Sequence, residues 1–162
     1  MGAEATADLT LAEPMPVTLG DILTVFPFGN VVSTLELTFA DVMAALENGV
    51  SLGEEGAGRF PQVSGIRFTW DGSKPAGSRI VRVEVEGVDG TFSEIDPAAV
   101  YTVATNDFMR RGGDGYEVLA TNAIDPYDFG KPLDEVLEEY IAANSPVAPT
   151  VEGRIIRVDA AP

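Results

Sequence analysis

The run YTVATNDFMRRGGDGY, from Tyr101 to Tyr116, constrains the fold more than any other stretch. Its first half alternates apolar and polar residues, the two-residue period of a half-buried strand. Its second half is a loop built on Gly112, Gly113 and Gly115. Glycine has no Cβ, so it admits a left-handed backbone and lets the main chain come close to another group. The strand therefore ends in a tight turn that carries Phe108 and Asp114. An aromatic face beside a flexible, acid-bearing loop suits a planar ring attached to a sugar. The same residues also suit a plain strand-to-helix turn with a core Phe, since glycines commonly punctuate turns.

A second stretch repeats the theme. Phe28-Gly29-Asn30 is an aromatic–glycine–polar tip placed before a strand at Val31 to Leu37 and a helix at Thr38 to Asn48. In that helix Phe39, Val42, Met43 and Leu46 follow i, i+3, i+4, i+7 and share one face. Thr38 and Asp41 make a capping box with Asp in place of Glu, and Gly49 reads as the residue just past the helix end.

The remaining elements follow from the same periods. Thr18 caps a short helix through Val25. Gly65 to Trp70 and Arg79 to Glu86 alternate and form a hairpin around the turn DGSKPAGS. Ala99 to Thr105 is a further strand. Residues 120–131 read as loop. Leu133 to Asn144 is a helix with Leu133, Val136, Leu137, Tyr140 and Ile141 on one face, and Arg154 to Val158 closes as a strand. Residues 1–15 read as a loose arm and 16–162 as one domain. Helices interrupting strands without a regular βαβ rhythm predict an α+β fold with a mixed β-sheet.

Composition excludes several function classes. The formal charge of −16, from 26 acids against 10 basic residues, repels a nucleic-acid backbone. It suits a solvated secreted surface or a high-salt habitat. No apolar run is long enough to span a bilayer, so no membrane partner is expected. The opening residues lack the charged and apolar regions of a signal peptide. The chain has no His and no Cys. An ordinary zinc site and a His acid or base are therefore excluded, and only oxygen-ligand sites remain open. A Ser nucleophile would lack its base. One GGDG unit supplies too few oxygens for Ca²⁺.

Five motifs stand in a telling order: VFPFGN, the ELT-then-helix segment, GRFPQVSGIRF, the Tyr101–Tyr116 run and VEGRI. In that order they resemble the C-terminal domain of the 5'-nucleotidase family, which includes ecto-5'-nucleotidases and bacterial UDP-sugar hydrolases. The resemblance covers roughly Pro16 to Val158. It implies a domain that holds the nucleoside part of a nucleotide. The two divalent metal ions and the catalytic residues are implied in a separate N-terminal metallophosphatase domain, outside this sequence. No cofactor, metal or catalytic residue is expected in this chain, which alone is expected to be inactive. The family also implies a secreted or periplasmic protein.

Carried over by position, the resemblance implies that Phe28 and Phe108 clamp the base. It places Asn30 beside the base and Asp114 on the ribose hydroxyls. Each residue also has a plainer reading: a core Phe after Pro27, a Phe under its own loop, a turn Asn and a loop Asp bonded to its own backbone. Arg59, Arg67, Arg110 and Arg111 are fit to grip phosphate, yet none matches the family's phosphate arginine. That arginine precedes an Ala-Asp-Leu like Ala7-Asp8-Leu9, and Thr6 stands in its place. This departure from the family pattern puts phosphate binding by this chain in doubt. A structural or interaction domain that has lost its ligand is the competing reading.

Overall fold

The computed structural model describes residues 15–159. Thr6, Ala7-Asp8-Leu9 and nearly all of the expected arm lie outside these residues. In chain order the elements are α1 (Leu19–Val25), β1 (Val32–Thr38), α2 (Phe39–Val50), β2 (Ile66–Trp70), β3 (Ile80–Glu86), β4 (Phe92–Glu94) and β5 (Val100–Asn106). They continue as α3 (Asp107–Arg110), α4 (Glu117–Thr121), β6 (Ile124–Tyr127), α5 (Leu133–Asn144) and β7 (Ile155–Arg157). No helix among the described residues is long and apolar enough to cross a membrane.

Helix α2 begins where its sequence says it should. The Thr38 hydroxyl accepts from the Asp41 N–H, and the Asp41 carboxylate accepts from the Thr38 N–H, which satisfies two donors left free at a helix start. Asn122 donates to the same carboxylate at 2.6 Å and ties α4 to this cap. The other end departs from expectation. Gly49 is not a terminator: it lies inside the helix, which runs to Val50. Its role is close approach, because a Cβ there would stand 2.7 Å from Pro61 and 2.8 Å from the Tyr116 hydroxyl. Arg79 caps the helix instead. Its guanidinium donates to the carbonyls of Val50 at 2.7 Å and Ser51 at 3.0 Å while pairing with Glu54. Unsatisfied carbonyls at a helix end favour such a cation.

The strands divide into two sheets. One is antiparallel, in the order β5-β1-β6, and the other is mixed, in the order β4-β3-β2-β7 with β7 parallel to β2. The β2–β3 hairpin forms as its alternation predicts. Along β1 the side chains of Ser33, Leu35 and Leu37 are buried and their neighbours are only partly covered. The core joins Leu35 and Leu37 to Val42, Leu46 and Val50 of α2 and to Phe68, Trp70 and Val83 of the mixed sheet.

Two strands were not legible as such. β6 falls in the stretch read as loop, and all four of its residues are exposed. It carries Pro126, and Asp125 takes the left-handed φ of +46° at a bulge against β1. A strand without a buried face leaves no alternating signal. β4 is only three residues long. Helix α5 has the predicted span, but no residue of it is fully buried, and Val136 and Tyr140 of its expected apolar face are exposed.

Candidate nucleoside site

Strand pairing brings the two aromatic tips to one end of the three-stranded sheet. β1 and β5 are antiparallel with Val32 opposite Asn106, so the segment leading into β1 meets the segment leaving β5. Asp107 clasps them. Its N–H donates to the Val31 carbonyl at 3.0 Å, and its carboxylate accepts from the Val31 N–H at 3.1 Å. Both polar groups of the Val31 backbone are thereby satisfied by one residue 76 positions away. Phe28 and Asn30 lie just before this clasp, and Phe108 and Asp114 just after it.

Neither phenylalanine belongs to the core. Phe28 is 83% exposed and Phe108 is 49% exposed. The plainer reading of Phe28 as a core residue after Pro27 is therefore wrong. Phe108 leans on its own loop: a Cβ on Gly113 would lie 2.4 Å from the ring, so only glycine leaves room for it there. The aromatic pairs among the described residues are Phe60 with Trp70 and Tyr127 with Phe129, so the two tip rings stand unstacked.

Asp114 occupies a left-handed backbone position, φ +54°, between Gly113 and Gly115. Asp tolerates this conformation better than most residues. The loop is anchored from α2, where the Asn48 side-chain amide donates to the Asp114 carbonyl at 3.2 Å. Asn48 also accepts from Arg59, and a Cβ on Gly115 would lie 2.8 Å from its Oδ1. Tyr116 closes the base of the loop by donating to the Arg59 carbonyl at 2.6 Å. Burial pushes the Tyr116 hydroxyl up to about 12, and the Asp114 charge adds to that shift. Among the described residues nothing donates to the Asp114 carboxylate, and the residue is exposed. Asn30 is half-buried, and its carbonyl accepts from the Leu133 N–H at 3.0 Å.

Each of the four arginines already has protein partners, two of them at the site itself. Arg67 makes a two-pronged pair with Glu84 at 2.7 and 2.9 Å and lies over the Phe92 ring. Arg110 makes another with Asp128, both contacts at 2.8 Å, and holds that carboxyl below its usual range. The buried Ser33 hydroxyl makes no well-formed hydrogen bond and adds a smaller contribution to that lowering. Arg111 pairs with Asp107 at 3.1 Å, and Arg59 reaches Asn48 and Ser51. Among the described residues no group of three or more His, Cys, Asp or Glu side chains is placed to hold a metal ion. Sequence reasoning missed Asp107, Asn48 and the Arg110–Asp128 pair. Their partners lie 76, 66 and 18 positions away, and no local spacing announces them.

Comparison with known proteins places the fold in a family. The family model for the 5'-nucleotidase C-terminal domain matches residues 3–121. The chain is 41% identical over 143 residues to the trifunctional nucleotide phosphoesterase protein YfkN of Bacillus subtilis, a match covering 88% of this chain and 10% of that protein. It is 30% identical over 146 residues to the snake venom 5'-nucleotidase of Macrovipera lebetinus, covering 88% of this chain and 36% of that one. A solved 5'-nucleotidase precursor from Thermus thermophilus superposes with a TM-score of 0.85 at 41% identity, covering 90% of this chain and 29% of that chain. The chain thus spans between a tenth and about a third of these relatives. With the fold and these matches in agreement, the chain belongs to the 5'-nucleotidase C-terminal domain family.

Proposed function

We propose that this chain is the nucleoside-recognition domain of a 5'-nucleotidase-like hydrolase and holds a nucleoside between Phe28 and Phe108. The observation that carries the reading is the Val31–Asp107 clasp, which brings the segments of two exposed phenylalanines to one sheet end, with the exposed Asp114 in the loop that follows Phe108. Base–aromatic stacking is worth about 1–3 kcal/mol per contact and tolerates different bases. The Asp114 carboxylate accepts ribose O–H groups in charge-assisted bonds. The Asn30 amide both donates and accepts toward the base edge.

Hydrolysis itself would belong to an N-terminal metallophosphatase partner domain, where divalent metal ions would supply Lewis-acid chemistry. This chain binds and orients. Among the described residues near the clasp, Arg110 and Arg111 are paired to carboxylates, and Arg59 is bonded to Asn48 and Ser51. A secreted or periplasmic location agrees with the venom source of one relative.

The test is a titration of the chain with adenosine, followed by the NMR shifts of its phenylalanine rings. A dissociation constant on the order of 1 mM is expected, equivalent to about 4 kcal/mol. Phe108→Ala should abolish the shifts at Phe28. A titration that moves neither ring would instead mark a structural domain that has lost its ligand.

A further inference from the structure

Phe129 is as exposed as Phe28, at 83%. It is nevertheless held in place. The Tyr127 hydroxyl donates to the Phe129 carbonyl at 3.0 Å, and the two rings meet edge to face with centroids 5.9 Å apart. The next residue, Gly130, donates to the Val32 carbonyl at 3.0 Å, and a Cβ on it would lie 2.3 Å from that oxygen. The Val32 N–H in turn donates to the Lys131 carbonyl at 2.9 Å. On the other side, Asp128 is locked to Arg110, two residues beyond Phe108.

The Phe129 segment is therefore bonded to both segments of the nucleoside site. Leaving apolar surface in water costs about 25 cal/mol per Å². Phe28, Phe108, Tyr127 and Phe129 are all exposed, and their segments meet at this one sheet end; a lone exposed ring is ordinary, but an exposed aromatic patch marks a binding surface. A base between Phe28 and Phe108 has both faces covered, so it offers Phe129 no face to stack on.

We infer that Phe129, backed by Tyr127, forms a second aromatic subsite that takes a second planar group of the ligand. This rests on the nucleoside-clamp reading. It makes dinucleotides, two nucleosides joined through a phosphate bridge, the preferred ligand class over mononucleosides. Because the neighbouring Arg110 is paired, recognition at this subsite is by stacking and is tolerant of ring type.

The experiment compares two probes of equal charge by calorimetry: 5',5'-linked diadenosine monophosphate and the methyl ester of adenosine 5'-monophosphate. The diadenosine should bind about tenfold tighter, the equivalent of one added stacking contact. Phe129→Ala should bring it down to the level of the methyl ester and leave the methyl ester unchanged. Phe129→Leu, which keeps bulk without a ring, should behave as Phe129→Ala and guards against a folding artefact. Equal affinity of both probes for the unmodified chain would overturn the second subsite while leaving the clamp intact. Equal weakening of both probes by Phe129→Ala would overturn it too, by placing the ring in the first site or in the framework. If neither probe binds, the clamp falls and this inference falls with it.

Discussion

Phe68, in the middle of β2, is 2% exposed, whereas Phe28, at the end of the three-stranded sheet, is 83% exposed. The two side chains are chemically identical, and their surroundings assign them opposite work. Phe68 packs among Leu35, Val50, Trp70 and Val83, where removing apolar surface from water stabilises the fold. The mixed sheet also closes over its aromatics with charge: Arg157 lies over Trp70, and Arg67 covers Phe92. Among the described residues the rim rings have no such cover. The Phe28, Phe108 and Phe129 segments are positioned by hydrogen bonds from Asp107, Asn48, Gly130 and the Arg110–Asp128 pair. One region uses its rings to hold the chain together. The other uses the chain to hold its rings out.

The largest expected effect tests that contrast directly. Phe68→Ala should cost about 3–5 kcal/mol in denaturant unfolding, the usual cost of deleting a core Phe. Phe28→Ala should cost less than about 0.5 kcal/mol and still abolish adenosine binding. A large loss of stability for Phe28→Ala would break the comparison.

Tyr116 sits where the two regions meet, buried in the core and bonded beneath the Asp114 loop. Its hydroxyl is raised from 10 to about 12. Above pH 10 the unfolded chain gives up this proton while the folded chain keeps it, so stability is intact below pH 10 and falls between pH 10 and 12. The expected loss is about 2–3 kcal/mol, read as a steeper fall in the unmodified chain than in Tyr116→Phe. Parallel pH profiles would mean that the phenol is not sequestered.

A smaller effect sharpens the account of the rim. Asn48→Ala removes the anchor of the Asp114 carbonyl and should cost about 1 kcal/mol of stability. It should weaken adenosine more than 2',3'-dideoxyadenosine, because only the former uses the Asp114 carboxylate. Equal weakening would make Asn48 a framework residue with no bearing on the ligand.

The smallest effect bears on what both regions share, an acidic surface of 26 acids against 10 basic residues. Repulsion among these charges is screened within about 10 Å at 0.1 M salt. The melting midpoint should rise with NaCl by about 2–4 °C, equivalent to roughly 1 kcal/mol at this chain length. A flat or falling midpoint would show the acids to be already compensated by pairs such as Arg67–Glu84.

The sequence by itself determined the local elements and the candidate residues. Thr38 with Asp41 announced α2, alternation announced β2 and β3, and glycines 112, 113 and 115 announced the loop that bears Asp114. These signals are short-range, written in periods of 2 and 3.6 residues and in the few side chains able to cap or turn a backbone. The motif order also named the family. Only the tertiary structure decided that Gly49 is a packing contact, that an almost wholly exposed strand β6 pairs with β1, and that Phe28 faces water. It alone brought Asp107 to Val31, Asn48 to Asp114 and Asp128 to Arg110. A hydrogen bond across 66 or 76 residues has no periodic trace in a chain, because its partners are set by which strands pair and in what register.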